Sequence, residues 1–309
     1  MVADERGRLI NLKPNLKRRA KVIQHARNFF IKRGFLEVET PLRTPVIAPE
    51  LYITPLMSED WFLSTSPELF MKRLLAAGYD KLFQISHCFR RGERGRWHNP
   101  EFTMMEWYRS NAGYMQMIED TEQLISSIAE HIKHSRKITY QRQEIDLTTP
   151  WPKITVRKAF LQSAGWDPVL KPDPLRFDTD LVEKVIPNFP ANRPTVIMDY
   201  PVPMASLARL KPNNSRVAER AEVFIGGLEI ANAYSELIDP QEQARRFSME
   251  IKQIEKEQGR KIALPQKFLA AMEHLPECGG IALGMDRLVM LFCDTASIDE
   301  VMPFTVDTV

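Results

Sequence analysis

The sequence is short of the features that mark several protein classes. Three cysteines, Cys88, Cys278 and Cys293, stand far apart among 309 residues, so they make neither a disulfide framework nor a closely spaced zinc site. A reducing cytoplasm fits. No apolar run approaches the roughly 18 residues of a membrane span, and Met1-Val2-Ala3-Asp4-Glu5-Arg6 lacks the basic end and apolar core of a secretory signal. A soluble, cytoplasmic protein is therefore expected. Charge of one sign is also lacking. Against 42 Lys and Arg stand 40 Asp and Glu, a net of +2, far from the basic balance of a protein that mainly grips phosphate backbones. With 22 Pro and 13 Gly the chain is not of low complexity, and no internal repeat is found.

Periodicity supplies the elements that are there. Leu16, Ala20, Ile23, Ala26 and Phe30 recur at spacings of three and four, which predicts a helix capped by Asn15 and stopped at Gly34. Residues 36–39 alternate as a strand until Pro41. Ser66-Pro67-Glu68 reads as cap, first helical residue and first-turn acid of a short helix ending at Gly78. Residues 81–90 and 101–109 read as strands joined by a long, Arg-rich tip, and residues 115–132 as a helix. The stretch 141–194, with turn signals at Pro150, Gly165 and Pro172, looks inserted. Strands return at 195–200, 221–225 and 228–236, and helices at 241–257 and 285–293. Without regular alternation, this predicts an α+β fold, a mainly antiparallel sheet flanked by helices, in a single domain over 1–309.

Three places gather charge. Arg90 ends the first strand of the hairpin, Arg91, Arg94 and Arg96 follow around Gly92 and Gly95, and His98-Asn99-Pro100-Glu101 opens the return. Guanidinium forks bind phosphate oxygens bidentately, so the tip is either a triphosphate clamp or a solvated loop with scattered charge. On the returning strand a period of two puts Met104, Glu106 and Tyr108 on one face. A buried glutamate is costly without a cation, so Glu106 calls for a positive partner.

The second place is the Gly226-Gly227 turn, a two-residue hairpin signal. Pairing Ile225 with Leu228 sets Phe224 opposite Glu229 and Glu222 opposite Ala231, leaving the two acids diagonal neighbours about 7 Å apart at Cα. They suit a shared Mg2+, which takes one or two carboxylates plus phosphates, or else an exposed acidic edge. Asn232 and Glu236 share a face that strict alternation denies to Glu229, so a β-bulge near Ala231 or Ala233 is needed to bring all three into one pocket.

The third place is Gly279-Gly280-Ile281-Ala282-Leu283-Gly284-Met285-Asp286-Arg287. Glycines ahead of a helix let a ligand approach the backbone, and helix N-termini favour anions. Arg287 in the first turn opposes the helix dipole unless an anion or an acid accompanies it.

In this order the segments resemble the three signature motifs of the class II aminoacyl-tRNA synthetases, with the lysyl-tRNA synthetase catalytic domain the nearest likeness. Gly34-Phe35-Leu36-Glu37-Val38-Glu39-Thr40-Pro41 is similar to motif 1, the hairpin 89–108 to motif 2, and Gly284-Met285-Asp286-Arg287 to motif 3. The resemblance implies ATP and Mg2+ as cofactors, a lysine-like amino acid, and a homodimer built through motif 1. It assigns Arg90 and Arg287 to catalysis, at the α- and γ-phosphates, with Arg91, Gly92, Glu93, Asn99, Glu229, Ile230 and Gly284 around ATP. Glu222 and Glu229 would bind metal. Ser66, Pro67, Glu68, Glu106, Tyr108, Asn232, Glu236 and Ala282 would line the amino-acid pocket. One departure is that motif 2 usually has its Glu two places after the Arg, where Gly92 stands here and Glu93 comes one later.

Lysyl-tRNA synthetases carry an OB-fold anticodon domain before motif 1, which the short stretch before Asn15 does not provide, so tRNA is not the expected acceptor. The likeness is then to the free-standing lysyl-synthetase-like ligases that join (R)-β-lysine or lysine to a lysine side chain of elongation factor P. Ser66-Pro67-Glu68, Arg109, and the alanines Ala231 and Ala282, where lysyl-tRNA synthetases typically have glycine, agree with it. The alternatives are a truncated lysyl-tRNA synthetase and a catalytically inactive paralogue.

Overall fold

The first helix begins ten residues before its expected cap. In the computed structural model, which describes residues 5–309, α1 runs over Glu5–Ile31 with Pro14 inside it. Asn15 is thus an interior residue, and its Nδ2 donates to the Glu300 carbonyl at 2.9 Å instead of capping. The helix ends where glycine is needed, with Gly34 at φ +76°. There follow β1 (Leu36–Glu37), β2 (Arg43–Thr44), β3 (Met57–Ser58), β4 (Trp61–Leu63), α2 (Glu68–Ala76), β5 (Lys81–Phe89), β6 (Glu101–Ser110) and α3 (Tyr114–Lys133). The middle of the chain holds β7 (Lys137–Tyr140), β8 (Gln143–Asp146), β9 (Lys153–Thr155), α4 (Val156–Ser163), α5 (Pro174–Asp180), β10 (Thr195–Pro201) and β11 (Leu210–Lys211). The last part holds β12 (Asn214–Ile225), β13 (Leu228–Ser235), α6 (Pro240–Gln258), α7 (Gln266–Ala271), β14 (Cys278–Gly284) and α8 (Met285–Cys293).

Nine strands form one sheet in the order β1-β5-β6-β14-β13-β12-β10-β9, with β11 beside β12. Only the outermost pairs, β1 with β5 and β9 with β10, are parallel, so the α+β, mainly antiparallel expectation holds. Alternation along the strands gives the sheet two characters. Met105, Trp107, Ile281 and Leu283 point into a large core filled by Val22, Ala26 and Phe30 of α1, Ile118, Leu124 and Ile125 of α3, and Leu288 and Val289 of α8. Glu106 and Tyr108 point the other way. There α2, α6 and α7 cover part of the sheet with Leu69, Leu75, Phe247 and Phe268, and the rest carries polar groups.

Residues 141–194 contribute β9 at the sheet edge and the pair α4 and α5, whose Phe160 and Phe177 stack at 4.5 Å between centroids. All three cysteines are free and buried. Among the described residues no helix is long and apolar enough to cross a membrane.

Candidate active site

A single register decides what the polar face presents. Ile225 pairs with Leu228 and Phe224 with Glu229, as the turn predicts, but Val223 then pairs with Ala231 and Glu222 with Asn232. Ile230 is therefore the extra residue of a β-bulge. It sits beside Ala231, one of the two positions where a bulge was needed, and it replaces the expected pairing of Glu222 with Ala231. Asn232 now faces Glu222 and donates to its Oε1 at 3.3 Å. Onward across the sheet, Asn232 pairs with Ala282, Ala282 with Glu106, and Glu106 with Gln84. The adjacent row is Arg220, Tyr234, Gly280, Tyr108 and Leu82.

The strand that carries Gly280 and Ala282 is the element the sequence concealed. The run 278–284 reads as a glycine-rich approach to a helix, whereas it is the central strand β14. Close packing explains its composition. A Cβ on Gly280 would collide with Glu236 Oε1 and the Tyr108 ring, and one on Gly279 would lie 3.0 Å from the Gly113 carbonyl oxygen.

Over Gly280 lies a cluster of acids. Glu106 is 1% exposed and accepts hydrogen bonds from Ser66 Oγ at 2.6 Å and Tyr108 OH at 2.7 Å. The cation it called for is not among its partners. Burial first, and the neighbouring charge of Glu68 second, push its pKa up to about 7. Ser66 also accepts from the Glu68 amide at 3.1 Å, and Pro67 takes the cap position, so α2 proper starts at Glu68. Glu68 and Glu236 share a fully buried cation, Lys72, that the sequence reading missed. Glu236 is raised to about 8 by burial, with Lys72 pulling it back.

The arginine-rich hairpin tip adjoins this cluster. Arg90 lies over the Phe102 ring at 5.1 Å and has Glu93 Oε1 3.6 Å from Nη1. Its Nε is buried without a partner and so has a hydrogen bond to offer an anion. Arg91 and Gly92 are exposed, Gly92 at φ +82°, and the Arg91 amide donates to the Thr54 carbonyl at 2.7 Å.

Arg287 Nη1 donates to the Glu229 carbonyl at 3.0 Å and stands 3.7 Å from Glu229 Oε2. Its Nη2 reaches His98 Nε2 at 2.6 Å. Burial and Arg287 lower the pKa of His98, which favours a neutral imidazole that accepts from the guanidinium. These contacts offset the unfavourable dipole at the start of α8. A Cβ on Gly284, just before it, would meet Arg287 Cδ at 3.8 Å and the Ile230 carbonyl oxygen at 3.9 Å, ordinary contact distances.

Two expected nucleotide residues are otherwise engaged. Asn99 Oδ1 accepts from the Val306 amide at 2.9 Å and its Nδ2 donates to the Glu101 carbonyl at 2.5 Å, so its carboxamide fastens the C-terminal tail to the hairpin. Ile230 is buried in the core on the opposite side of the sheet, which leaves only its main chain for the nucleotide.

Glu222 is buried beside Arg220 Nη2 at 2.7 Å. Its pKa is raised by burial, Arg220 opposes this, and the charge of Glu229 adds to it. The two acids are thus within electrostatic reach of each other. Among the described residues no three His, Cys, Asp or Glu side chains gather as a metal centre. Two carboxylates completed by phosphate oxygens and water nevertheless fit Mg2+.

Comparison with known proteins agrees with this arrangement. Residues 7–308 match the family described as tRNA synthetases class II (D, K and N). The chain is 37% identical over 308 residues to an elongation factor P–(R)-β-lysine ligase of Haemophilus influenzae (strain PittGG), with 95% of each chain covered. It is 38% identical over 316 residues to a lysine–tRNA ligase of Pelotomaculum thermopropionicum, covering 93% of this chain and 62% of that one. A lysine–tRNA ligase of Carboxydothermus hydrogenoformans is 36% identical, with 93% and 64% covered.

Proposed function

The chain belongs to the class II tRNA synthetase family of the D, K and N type, whose members are ATP-dependent ligases, and we propose that it activates a lysine-like diamino acid as its adenylate. The activated group, (R)-β-lysine or lysine, is then passed to a lysine side chain of elongation factor P. The observation that carries this reading is the juxtaposition of a buried acid cluster, Glu68, Glu106 and Glu236, with an arginine whose buried Nε has no partner. Acids of that number suit two ammonium groups, and the arginine suits the reacting carboxylate and α-phosphate.

In the first half-reaction the amino-acid carboxylate attacks the α-phosphorus and pyrophosphate leaves. Arg90 stabilises charge developing at the α-phosphate, and Arg287, steadied by His98 and Glu229, holds the far end of the leaving group. Glu222 and Glu229 would hold Mg2+, which when bound neutralises phosphate charge. In the second half-reaction the acceptor amine attacks the mixed anhydride and AMP leaves. This is catalysis by position and electrostatics, with no covalent bond to the protein.

Identity does not choose the acceptor, because relatives named for elongation factor P and for tRNA lie at 37% and 38%. Ala282 favours the first. Its Cβ stands between Glu106 and Asn232 in the pocket row, where the glycine typical of lysyl-tRNA synthetases would leave space, and a methyl there suits an amine displaced along the chain. A homodimer through the motif 1 segment belongs to the same proposal.

The test is to offer ATP, labelled lysine or (R)-β-lysine, and either elongation factor P or tRNA. Label on elongation factor P is expected. Efficient labelling of tRNA would move the assignment to a tRNA ligase, and absence of pyrophosphate exchange with any diamino acid would remove the reading altogether.

A further inference from the structure

The acid cluster contains a cation that activation of an amino acid does not call for. Lys72 lies on α2, its side chain 0% exposed, and ion-pairs with Glu68 one turn earlier and with Glu236 beyond the end of β13. Burying an ammonium is expensive unless it is paired and hydrogen-bonded. Burial by itself lowers the pKa of Lys72, but Glu236 and Glu68 outweigh it and leave it raised, so the group is an ammonium. Glu106, by contrast, has only the hydroxyls of Ser66 and Tyr108. With all three acids ionised, three carboxylates and one internal ammonium leave two negative charges, the complement of a substrate with two ammonium groups.

We propose that Lys72 is a positioning residue for substrate selection: by pairing with both Glu68 and Glu236, it sets the charge count of the pocket and leaves Glu106 as the acid whose cation the substrate must bring. The proposal rests on the reading that this cluster receives the amino acid. It accounts for a lysine sealed from solvent beside the amino-acid pocket, where a neutral residue of the same length would pack as well. Without Lys72, Glu236 loses the cation that draws its pKa down and keeps the neighbouring charge of Glu68 that pushes it up.

The other titratable groups around the cluster are few. Glu106 and Tyr108 face it from β6, Cys278 from β14, and the charge of Glu68 reaches Glu50 and Tyr234. Arg90 acts on Glu106 from the nucleotide side. Tyr108 is raised well above its ordinary value and Cys278 is pushed up to about 12, so both stay neutral near neutral pH.

The experiment uses pyrophosphate exchange, followed as kcat/KM for the diamino acid against pH, in wild type, Lys72→Met and Lys72→Ala. Lys72→Met keeps the packing of the stem and removes the charge. It is expected to raise KM for the amino acid about tenfold at neutral pH, leave KM for ATP unchanged, and move the acid limb of the profile up by about one pH unit, as loss of one paired charge implies. Lys72→Ala leaves space for a small amine, so n-propylammonium is expected to restore exchange saturably and n-propanol is not. An acid limb that stays in place in Lys72→Met overturns the proposal. So does failure of propylammonium to restore either folding or exchange to Lys72→Ala beyond what propanol does. Wild-type exchange that shows no preference for diamino acids sinks the proposed function itself, whereas a normal wild type with unresponsive Lys72 variants sinks only this inference.

Discussion

Neutralising Glu106 is expected to make the protein more stable and less active at once. Glu106 is 1% exposed and has no cationic partner, and burial followed by the charge of Glu68 raises its pKa from 4.5 to about 7. Its folded-state value thus lies above its unfolded value, so the neutral acid favours the fold fully below about pH 4.5. That contribution is lost as pH rises through about 7, beyond which a carboxylate sits buried without a counter-ion. A shift from 4.5 to about 7 corresponds to a cost of order 3 kcal/mol at pH 8. Glu106→Gln keeps an oxygen that accepts from Ser66 and an amide that meets Tyr108, and it carries no charge. Thermal melting should show the variant several degrees more stable than wild type at pH 8, with the gap closing towards pH 5. In pyrophosphate exchange its KM for the amino acid should rise by about 1.5 to 3 kcal/mol, the worth of a charged hydrogen bond, while KM for ATP holds. The acid limb should lose the ionisation that Glu106 contributes near pH 7 and keep that of Glu236 near 8. A variant less stable than wild type at pH 8, or one whose acid limb is identical to the wild type's, would refute the reasoning.

Three further outcomes can be checked with the same assays. Arg90→Ala should lower exchange by about 3 to 4 kcal/mol of transition-state free energy, as loss of one oxyanion donor does; a wild-type rate would take Arg90 out of the chemistry. Ala282→Gly should relax the choice between (R)-β-lysine and lysine by roughly 10- to 200-fold in kcat/KM ratio, and an unchanged ratio would place selectivity elsewhere. Gly280→Ala should cripple amino-acid binding while sparing ATP binding, because the new methyl collides with Glu236 and the Tyr108 ring; unaltered amino-acid KM would show that this crossing is looser than drawn.

Much of the fold was legible because the polar face announces itself at a period of two. Glu106 and Tyr108 alternate with Met105 and Trp107, and the structure sorts the two pairs to opposite sides. The turn at Gly226-Gly227 fixed the first two cross-strand pairs of β12 and β13 correctly. Other features depend on partners remote in sequence. β14 resembles a loop because Gly280 answers to Tyr108 and Glu236, and Gly279 to Gly113, not to β-propensity. Lys72 reads as the polar flank of an amphipathic helix until Glu236 is folded against it. The start of α1 was misplaced because Pro14 and Asn15 look like a boundary, whereas burial of Leu12 helps carry the helix back through them. Asn99 looked available to a ligand because the tail that engages it lies at the far end of the chain.

The bulge at Ile230 also bears on how this chain tolerates change. Along a strand, facing alternates, so the count of residues matters as a parity. Glu229 and Asn232 differ in parity yet share the polar face, because Ile230 and Ala231 both lie on the core side and the bulge absorbs the extra residue. Substituting Ile230 by valine or leucine alters a patch of core. Deleting it would leave Ala231 opposite Val223 and Asn232 opposite Glu222 by plain alternation, with every facing kept and only the bulge lost. A gap at Ala233 would instead turn Tyr234 into the apolar interior, so lineages of the chain should accept replacement or loss at the bulge but no gap beyond it.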